Sequence, residues 1–509
     1  MLVCALLALA ALPPARAQRL GTIDFPTSGA PAAQGPFIRG VLWLHSFEYE
    51  AAAAAFREAE RLDPGFAMAY WGEALSYSHP VWNQQDANAA RAALARLAPT
   101  TAGRRAKART PREQAYLAAV ETLYGSGSKA HRDTLYAKAM ERLGARFPGD
   151  REAKVFYAAA LLGLNQGVRD VRTYMRAAAI LEPIFKVDPT HPGVLHLLIH
   201  CYDDPTHAPL GLAAARAYAT VAPDAPHAHH MTTHIFMALG LWDDVVAQNE
   251  IASGPDHSAW TPGHYTDWLG YGYLQQGRYG EAQRLLDVVR QNMSRARGAV
   301  PAVLAEMRAD YVVNTEQWNC PCLTWPIDLT GMRTRDQALD VFVAGLSALR
   351  RNDRASVTGS LGELARFRRS AAAAGRGGDP VPQILEQELE ALVAQADGRV
   401  PAAIQLLRSA AAAEDAIPFE FGPPAVAKPT HELLGEVLLA AGRAREAQVE
   451  FERALRLAPK RALSLLGLAR AAAAAGDKPT ATRAFADLRG IWHGADAGIR
   501  GRDEAARGY

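Results

Sequence analysis

The chain has 509 residues, 49% of them hydrophobic, and 55 Lys and Arg stand against 53 Asp and Glu for a net charge of +2. A chain of this length buries ample core, either as two to four globular units or as one long repeat array. The near-cancelling charge argues against a general nucleic-acid or membrane-surface role, which wants a basic excess, and neither the N-terminal apolar run nor any later stretch reaches the ~20 apolar residues of a membrane span.

Residues 1–17 read as an export signal: an apolar run, Leu2–Leu12, then Pro13-Pro14 and the small-x-small site Ala15-Arg16-Ala17. The expectation is a periplasmic or secreted protein. Cys4 follows Val3 and sits too early for a lipoprotein cysteine. Residues 18–36, rich in Gly, Pro and Ala, read as an extended lead-in. From Phe37 the pattern becomes paired helices with stops at recurring intervals. Glu48–Pro64 carries Ala52, Phe56 and Ala59 ahead of Pro64. His45 and His79 differ in number by 34, and Tyr77–Trp82 reads as a helix end running into an ordered loop.

The densest stretch is 190–240. It holds His196-Leu-Leu-Ile-His200 and His230-Met-Thr-Thr-His234, two pairs whose numbers differ by the same 34 (196 to 230, 200 to 234). Spacing i, i+4 puts both rings of a pair on one helix face, one turn apart. Asp203 and His227 flank them, and His264, Asp267 and Tyr271 follow one interval later. Asp204-Pro205 and His207 read as a turn into the next helix. Residues 295–335 read as an irregular insert around Cys320-Pro-Cys322, which fits a tight disulfide, a pair of soft metal ligands or a packed loop. Residues 369–382 read as a loop, and 417–429 as a proline-rich connection lying along the groove of the array. Three cysteines after the leader, Cys201, Cys320 and Cys322, make no disulfide framework. Toward the C-terminus Leu434, Gly435, Leu438, Gly442, Ala447, Phe451, Ala454 and Pro459 recur in part as Gly476, Ala481, Phe485 and Leu488, and similar marks stand at Leu269, Gly270, Tyr273, Gly277 and Ala282.

These marks resemble the tetratricopeptide repeat, a 34-residue helical hairpin with small residues at positions 8, 20 and 27, large ones at 11 and 24, and a proline at 32. The resemblance implies an all-α solenoid of stacked hairpins, since a single hairpin cannot bury its apolar face alone. It divides the chain into an N-terminal array over 37–294, the insert over 295–335, a second array over 336–490 and a tail over 491–509. The runs His196–Pro205 (His-x-x-x-His-x-Tyr-Asp-x-Pro) and His227–Met231 (His-Ala-x-His-Met) also resemble a group of exported bacterial members of that family. In such arrays positions 2, 5, 9 and 12 of the first helix line the concave groove. Anchored on Gly240 and Gly277 as position 15, this implies that His196, His200, Asp203, His227, His230, His234, His264, Asp267 and Tyr271 face one groove. His45 and His79, near position 13, lie toward the same side.

Facing rungs of imidazoles on helices 8–10 Å apart can converge on an ion at bond lengths of about 2.0–2.1 Å. The expected ligands are His196, His200, His230 and His234, with Asp203 or Asp267 as a fifth ligand or a partner behind the rings, and the metal is zinc or copper. The alternative is a metal-free groove that grips a protein or peptide partner. An enzyme, a metal-dependent hydrolase or oxidase, is the weaker reading: neither His-x-x-x-His carries the glutamate of a zinc protease helix, and no nucleophile elbow or phosphate loop is present.

Overall fold

The structure, a computed structural model, describes residues 18–165, 169–296, 298, 300–373 and 378–508. The expected export signal, with Cys4, lies outside the described residues. Among those described, 25 α-helices and one two-residue β-hairpin make up the regular structure. No described helix is long and apolar enough to cross a membrane.

The helices follow as antiparallel pairs. The first hairpin is α1 (Pro31–His45) with α2 (Tyr49–Leu62), and the second is α3 (Ala67–Leu75) with α4 (Ala87–Leu97). The strands Ser78–His79 and Gln84–Gln85 interrupt that second pair. A short α5 (Thr101–Lys107) leads to α6 (Pro111–Leu123) and α7 (Lys129–Arg146), then α8 (Arg151–Leu162) and α9 (Val171–Val187). Three hairpins carry the histidines: α10 (Pro192–Tyr202) with α11 (Ala208–Val221), α12 (Pro226–Ala238) with α13 (Trp242–Ser253), and α14 (His264–Gln275) with α15 (Tyr279–Gln291). After α16 (Val300–Thr315) come α17 (Thr334–Arg350) and α18 (Arg354–Ala373), α19 (Val381–Ala396) and α20 (Val400–Glu414), α21 (Thr430–Ala440) and α22 (Ala444–Leu457), α23 (Ala462–Ala475) and α24 (Lys478–Ile491), and a terminal turn α25 (Arg502–Arg507).

Local sequence explains these boundaries. Proline opens α1, α6, α10 and α12, where its missing N–H has no helical partner to lose. Thr110 and Glu113 form a reciprocal capping box on α6. The glycines at repeat position 15, Gly240, Gly277, Gly442 and Gly476, all have positive φ, the left-handed turn that reverses one helix into the next.

The packing between hairpins follows the same rule at both ends. Phe451 on α22 is wedged between Gly435 of its own hairpin and Gly467 of the next; a Cβ at Gly435 would stand 2.9 Å from its ring, and one at Gly467 closer still. Phe56 on α2 sits in the same way between Gly40 and Gly72. The fold is thus an all-α solenoid of tetratricopeptide-like hairpins.

Three features depart from a plain array. Helix α1 begins at Pro31, inside the stretch read as lead-in, and the remaining segment is held down: Leu20 and Phe25 are buried, and Phe25 packs on Phe37, Trp71 and Tyr116. Of residues 295–335, the part from 316 to 333 is irregular; 300–315 form α16, which packs on α14, α15 and α17. Cys320 and Cys322 form a disulfide, and Arg308 of α16 donates to the Cys322 and Trp325 carbonyls at 3.1 and 3.0 Å. Finally, the superhelix curls on itself. Helix α1 touches α10, and the turn leading into α23 docks on the central hairpins, where Trp242 donates to the Lys460 carbonyl at 2.9 Å. Arg461, fully buried, donates to Tyr271 Oη at 2.8 Å and to both oxygens of Glu432.

Candidate metal centre

Helices α10, α12 and α14 bring six imidazoles into one contiguous cluster on the inner wall. The structure groups them as two triads: His196, His200 and His227, then His230, His234 and His264, with ligand atoms within 4.8 Å of one another inside each. The triads adjoin, since ring centres are 6.1 Å apart both for His200–His234 and for His227–His230. All but His264 are buried; His264 stands at the solvent edge. The i, i+4 spacing therefore delivers its rungs, but each pair recruits a third ring, His227 or His264, rather than meeting the other pair on a single ion.

In the first triad each ring has nitrogen to spare. His196 Nδ1–H donates to the His45 carbonyl at 2.6 Å, which leaves Nε2 as the lone-pair atom, and that atom has no partner. His227 Nδ1 meets Tyr265 Oη at 3.2 Å and its Nε2 is likewise unpartnered. Neither ring nitrogen of His200 has a partner. Buried polar atoms are nearly always hydrogen-bonded, and leaving one unsatisfied costs about 1–3 kcal/mol. Each of the three rings thus has an unpartnered nitrogen, and each offers one ligand atom within 4.8 Å of the others, an arrangement suited to a cation.

Electrostatics keep these rings neutral. Burial, opposed by the His45 carbonyl, pushes His196 down to about 3, and burial with the neighbouring imidazoles pushes His200, His227 and His230 well below the usual histidine range. Neutral imidazole is the metal-binding form.

Other elements close the site. Phe47, in the turn between α1 and α2, has φ of 54°, a left-handed conformation that a bulky residue seldom adopts. It places its ring 4.2 Å from that of His196. Arg169 donates to the His200 and Cys201 carbonyls at 3.0 and 2.8 Å and pairs with Asp204, which ties down the end of α10. Asp204 Oδ1 accepts the Thr206 and His207 N–H groups, so the turn expected at 204–207 is present. On the open side lies a cleft of about 870 Å³ lined by Tyr49, His79, Trp82, His227, His264 and Tyr265, among others. His79 stacks on Tyr49 at its rim, at 3.8 Å. The connection 417–429 covers the opposite side, with Phe421 5.8 Å from His234.

The remaining expected residues go elsewhere. Asp203 approaches no ion site directly; its Oδ2 accepts from His234 Nδ1–H at 2.5 Å. Asp267 is apart from the cluster, facing Glu306 and Asp310, and burial raises its carboxyl well above the usual range. Tyr271 is engaged by Arg461. His45 joins His191 and Glu152 in a third group of close ligand atoms. There, however, the nitrogens are occupied: His191 Nδ1 accepts the Val194 N–H, so its Nε2–H donates to Glu152 at 2.9 Å, and His45 Nε2 donates to the other oxygen at 2.7 Å. This group is a buried hydrogen-bonded brace that ties α1, α8 and the start of α10 together, and Gly193 leaves the space for the His45 ring. Sequence reading did not single out Glu152, His191, Asn249, Phe47 or Tyr265. Tyr265 adjoins His264 in the chain, but nothing in sequence links Asn249 on α13 to His230.

A scan against models of known families finds no match, and a search of curated proteins finds none. Among solved structures the chain is similar to yeast Tom70, at 11% identity over 93% of this chain and 94% of that one, with a TM-score of 0.27. It is similar to human IFIT1, solved as a dimer with m7Gppp-AAAA, at 13% identity over 95% and 89%, with a TM-score of 0.32. The third, the APC/C hetero-tetramer Cut9–Hcn1, gives 12% identity over 94% and 96% and a TM-score of 0.30. At these values the hairpin assignment rests on this chain's own helix pairs and glycine–phenylalanine packing.

Proposed function

We propose that this solenoid is an exported protein, periplasmic or secreted, that binds a transition-metal ion, zinc or copper, on His196, His200 and His227. One observation carries the reading: three buried imidazoles on two packed helices each have an unpartnered nitrogen and each offer a ligand atom within 4.8 Å of the others. Three neutral nitrogen ligands with room for a fourth group is the composition of an accessible rather than a closed metal site. The ligand set contains no thiolate or carboxylate, which suits zinc and copper over the harder cations. The 870 Å³ cleft reaches His227, so a small ligand has a path to the ion.

The metal-free scaffold reading has less support, because the chain's own 417–429 segment already lies against His234 and Tyr271, where an extended peptide partner would run. Metal analysis of tag-free protein tests the proposal. The expected result is stoichiometric zinc or copper, with His200→Ala removing the ion held by this triad without loss of helical content. Protein that stays metal-free after exposure to both ions overturns it, and specific capture of an exported peptide by that protein would establish the scaffold instead.

A further inference from the structure

The second triad has a different signature, and it is the stronger geometrically. Thr233 Oγ1 donates to the His230 carbonyl at 2.6 Å, so that hydroxyl can only accept from Asn249 Nδ2, 3.3 Å away. Asn249 therefore presents Oδ1 to His230 Nδ1, at 2.8 Å, and accepts its N–H. The lone pair of His230 is left on Nε2. On the other ring, the Asp203 carboxylate accepts from His234 Nδ1–H at 2.5 Å, and in the neutral, metal-binding form of that ring Nε2 carries the lone pair. These two Nε2 atoms lie 3.2 Å apart. Two lone pairs pointed at one another repel in the absence of a cation. Two nitrogens bound to one tetrahedral ion at about 2.0–2.1 Å stand about 3.3 Å apart. A carboxylate and an amide behind the two rings are the outer partners that orient ligand histidines and raise their basicity.

We infer that His230, His234 and His264 hold a second transition-metal ion beside the first, so that the six histidines form a dinuclear centre. The inference rests on the reading that His196, His200 and His227 bind the first ion. His264 supplies the third ligand from α14. One ring of each triad, His227 and His264, lines the cleft, which gives a small ligand simultaneous access to both ions. The six ligands are imidazoles with no thiolate or carboxylate among them, and Asp203 stands behind His234. Zinc and copper suit both sites alike.

The test is zinc capacity of the full-length, tag-free protein, stripped with chelator, reloaded and freed of excess by gel filtration. The wild type is expected to hold about two zinc ions per chain, and His200→Leu and His234→Leu about one each. Asp203→Asn keeps the shape of the carboxylate and should weaken one of the two ions about 10–100-fold while leaving the other unchanged. It also serves if His234→Leu fails to fold, with circular dichroism reporting helicity. One zinc per chain, lost in His200→Leu but unaffected by His234→Leu or Asp203→Asn, overturns the second site and leaves the first; the close contact between the two Nε2 atoms is then an imidazolium–imidazole hydrogen bond. One zinc lost in both leucine variants means a single ion shared by the triads, which also overturns the pair. No zinc or copper in the wild type defeats both readings.

Discussion

His200→Leu separates a ring kept for binding from a ring kept for packing. His200 is 3% exposed, and neither of its nitrogens has a hydrogen-bond partner. In the metal-free protein those two atoms were stripped of water without compensation, at about 1–3 kcal/mol each. Leucine has nearly the volume of histidine and no polar atom. Imperfect shape should take back about 1 kcal/mol. Metal-free His200→Leu is therefore expected to be more stable than wild type by about 1–5 kcal/mol. With zinc present the order reverses. A ligand at a hundred times its Kd stabilises the folded state by about 2.7 kcal/mol, and the variant loses that gain at its site. The assay is urea denaturation followed by circular dichroism, in chelator and in excess zinc. A variant several kcal/mol less stable than wild type in chelator would show that the ring is needed for packing, and an unchanged zinc response would show that it is no ligand. Either result refutes the reasoning.

Arg461→Met should destabilise the protein by about 3 kcal/mol in the same assay, because it takes the guanidinium from the buried Glu432 carboxylate and leaves it only Lys428 and Ser464. Burial alone would raise that carboxyl, but Arg461 and Lys428 overrule it and hold the group down to about 2; adding Glu432→Gln should recover much of the loss. His431 gives a pH signature of opposite sign to the depressed histidines. Burial lowers its pKa, but Glu450 and Asp415 together outweigh burial and raise it above the ordinary 6.5. Its folded-state pKa being the higher, its contribution is fully present below pH 6.5 and fades as pH rises through the raised value. The urea midpoint of wild type should fall over that window relative to its own value at pH 6, and His431→Phe should flatten the slope, as titration series on both proteins will show. Gly467→Ala drives a methyl into the Phe451 ring and should cost about 1–3 kcal/mol, with Phe451→Leu in the same chain relieving part of it.

The hairpins were legible because their marks are local. A glycine that must turn left-handed, a proline that stops a helix and a glycine facing a phenylalanine are each fixed by one or two neighbours in the chain. The histidine ladder was legible for the same reason: i, i+4 spacing within each pair and a common repeat period between them place rings by helix geometry alone. What sequence could not give was the grouping. Whether His200 meets His227 or His230 depends on how far one hairpin is rotated against the next, and that follows from packing along the whole superhelix. The roles of Asp203 and Asn249 behind the rings depend on the same rotation, as does the diversion of Tyr271 to Arg461, 190 residues away. His45 shows the limit most clearly. Its position suggested the groove, and its backbone carbonyl does orient His196, yet its ring is spent on Glu152.

That carbonyl has a bearing on how such a protein can change through descent. In an ordinary array each hairpin meets only its neighbours, so a whole unit can be gained or lost with little harm elsewhere. Here the last turn of α1 must land beside α10, 151 positions downstream. Insertion or deletion of a single hairpin between them would swing the first unit away and strip the cluster of Phe47 and of the acceptor for His196. Length variation should consequently be confined to loops, because the hairpins after α15 are tied back as well by Arg461 on Tyr271, and the hairpin number is locked as firmly as the spacing of the imidazoles themselves.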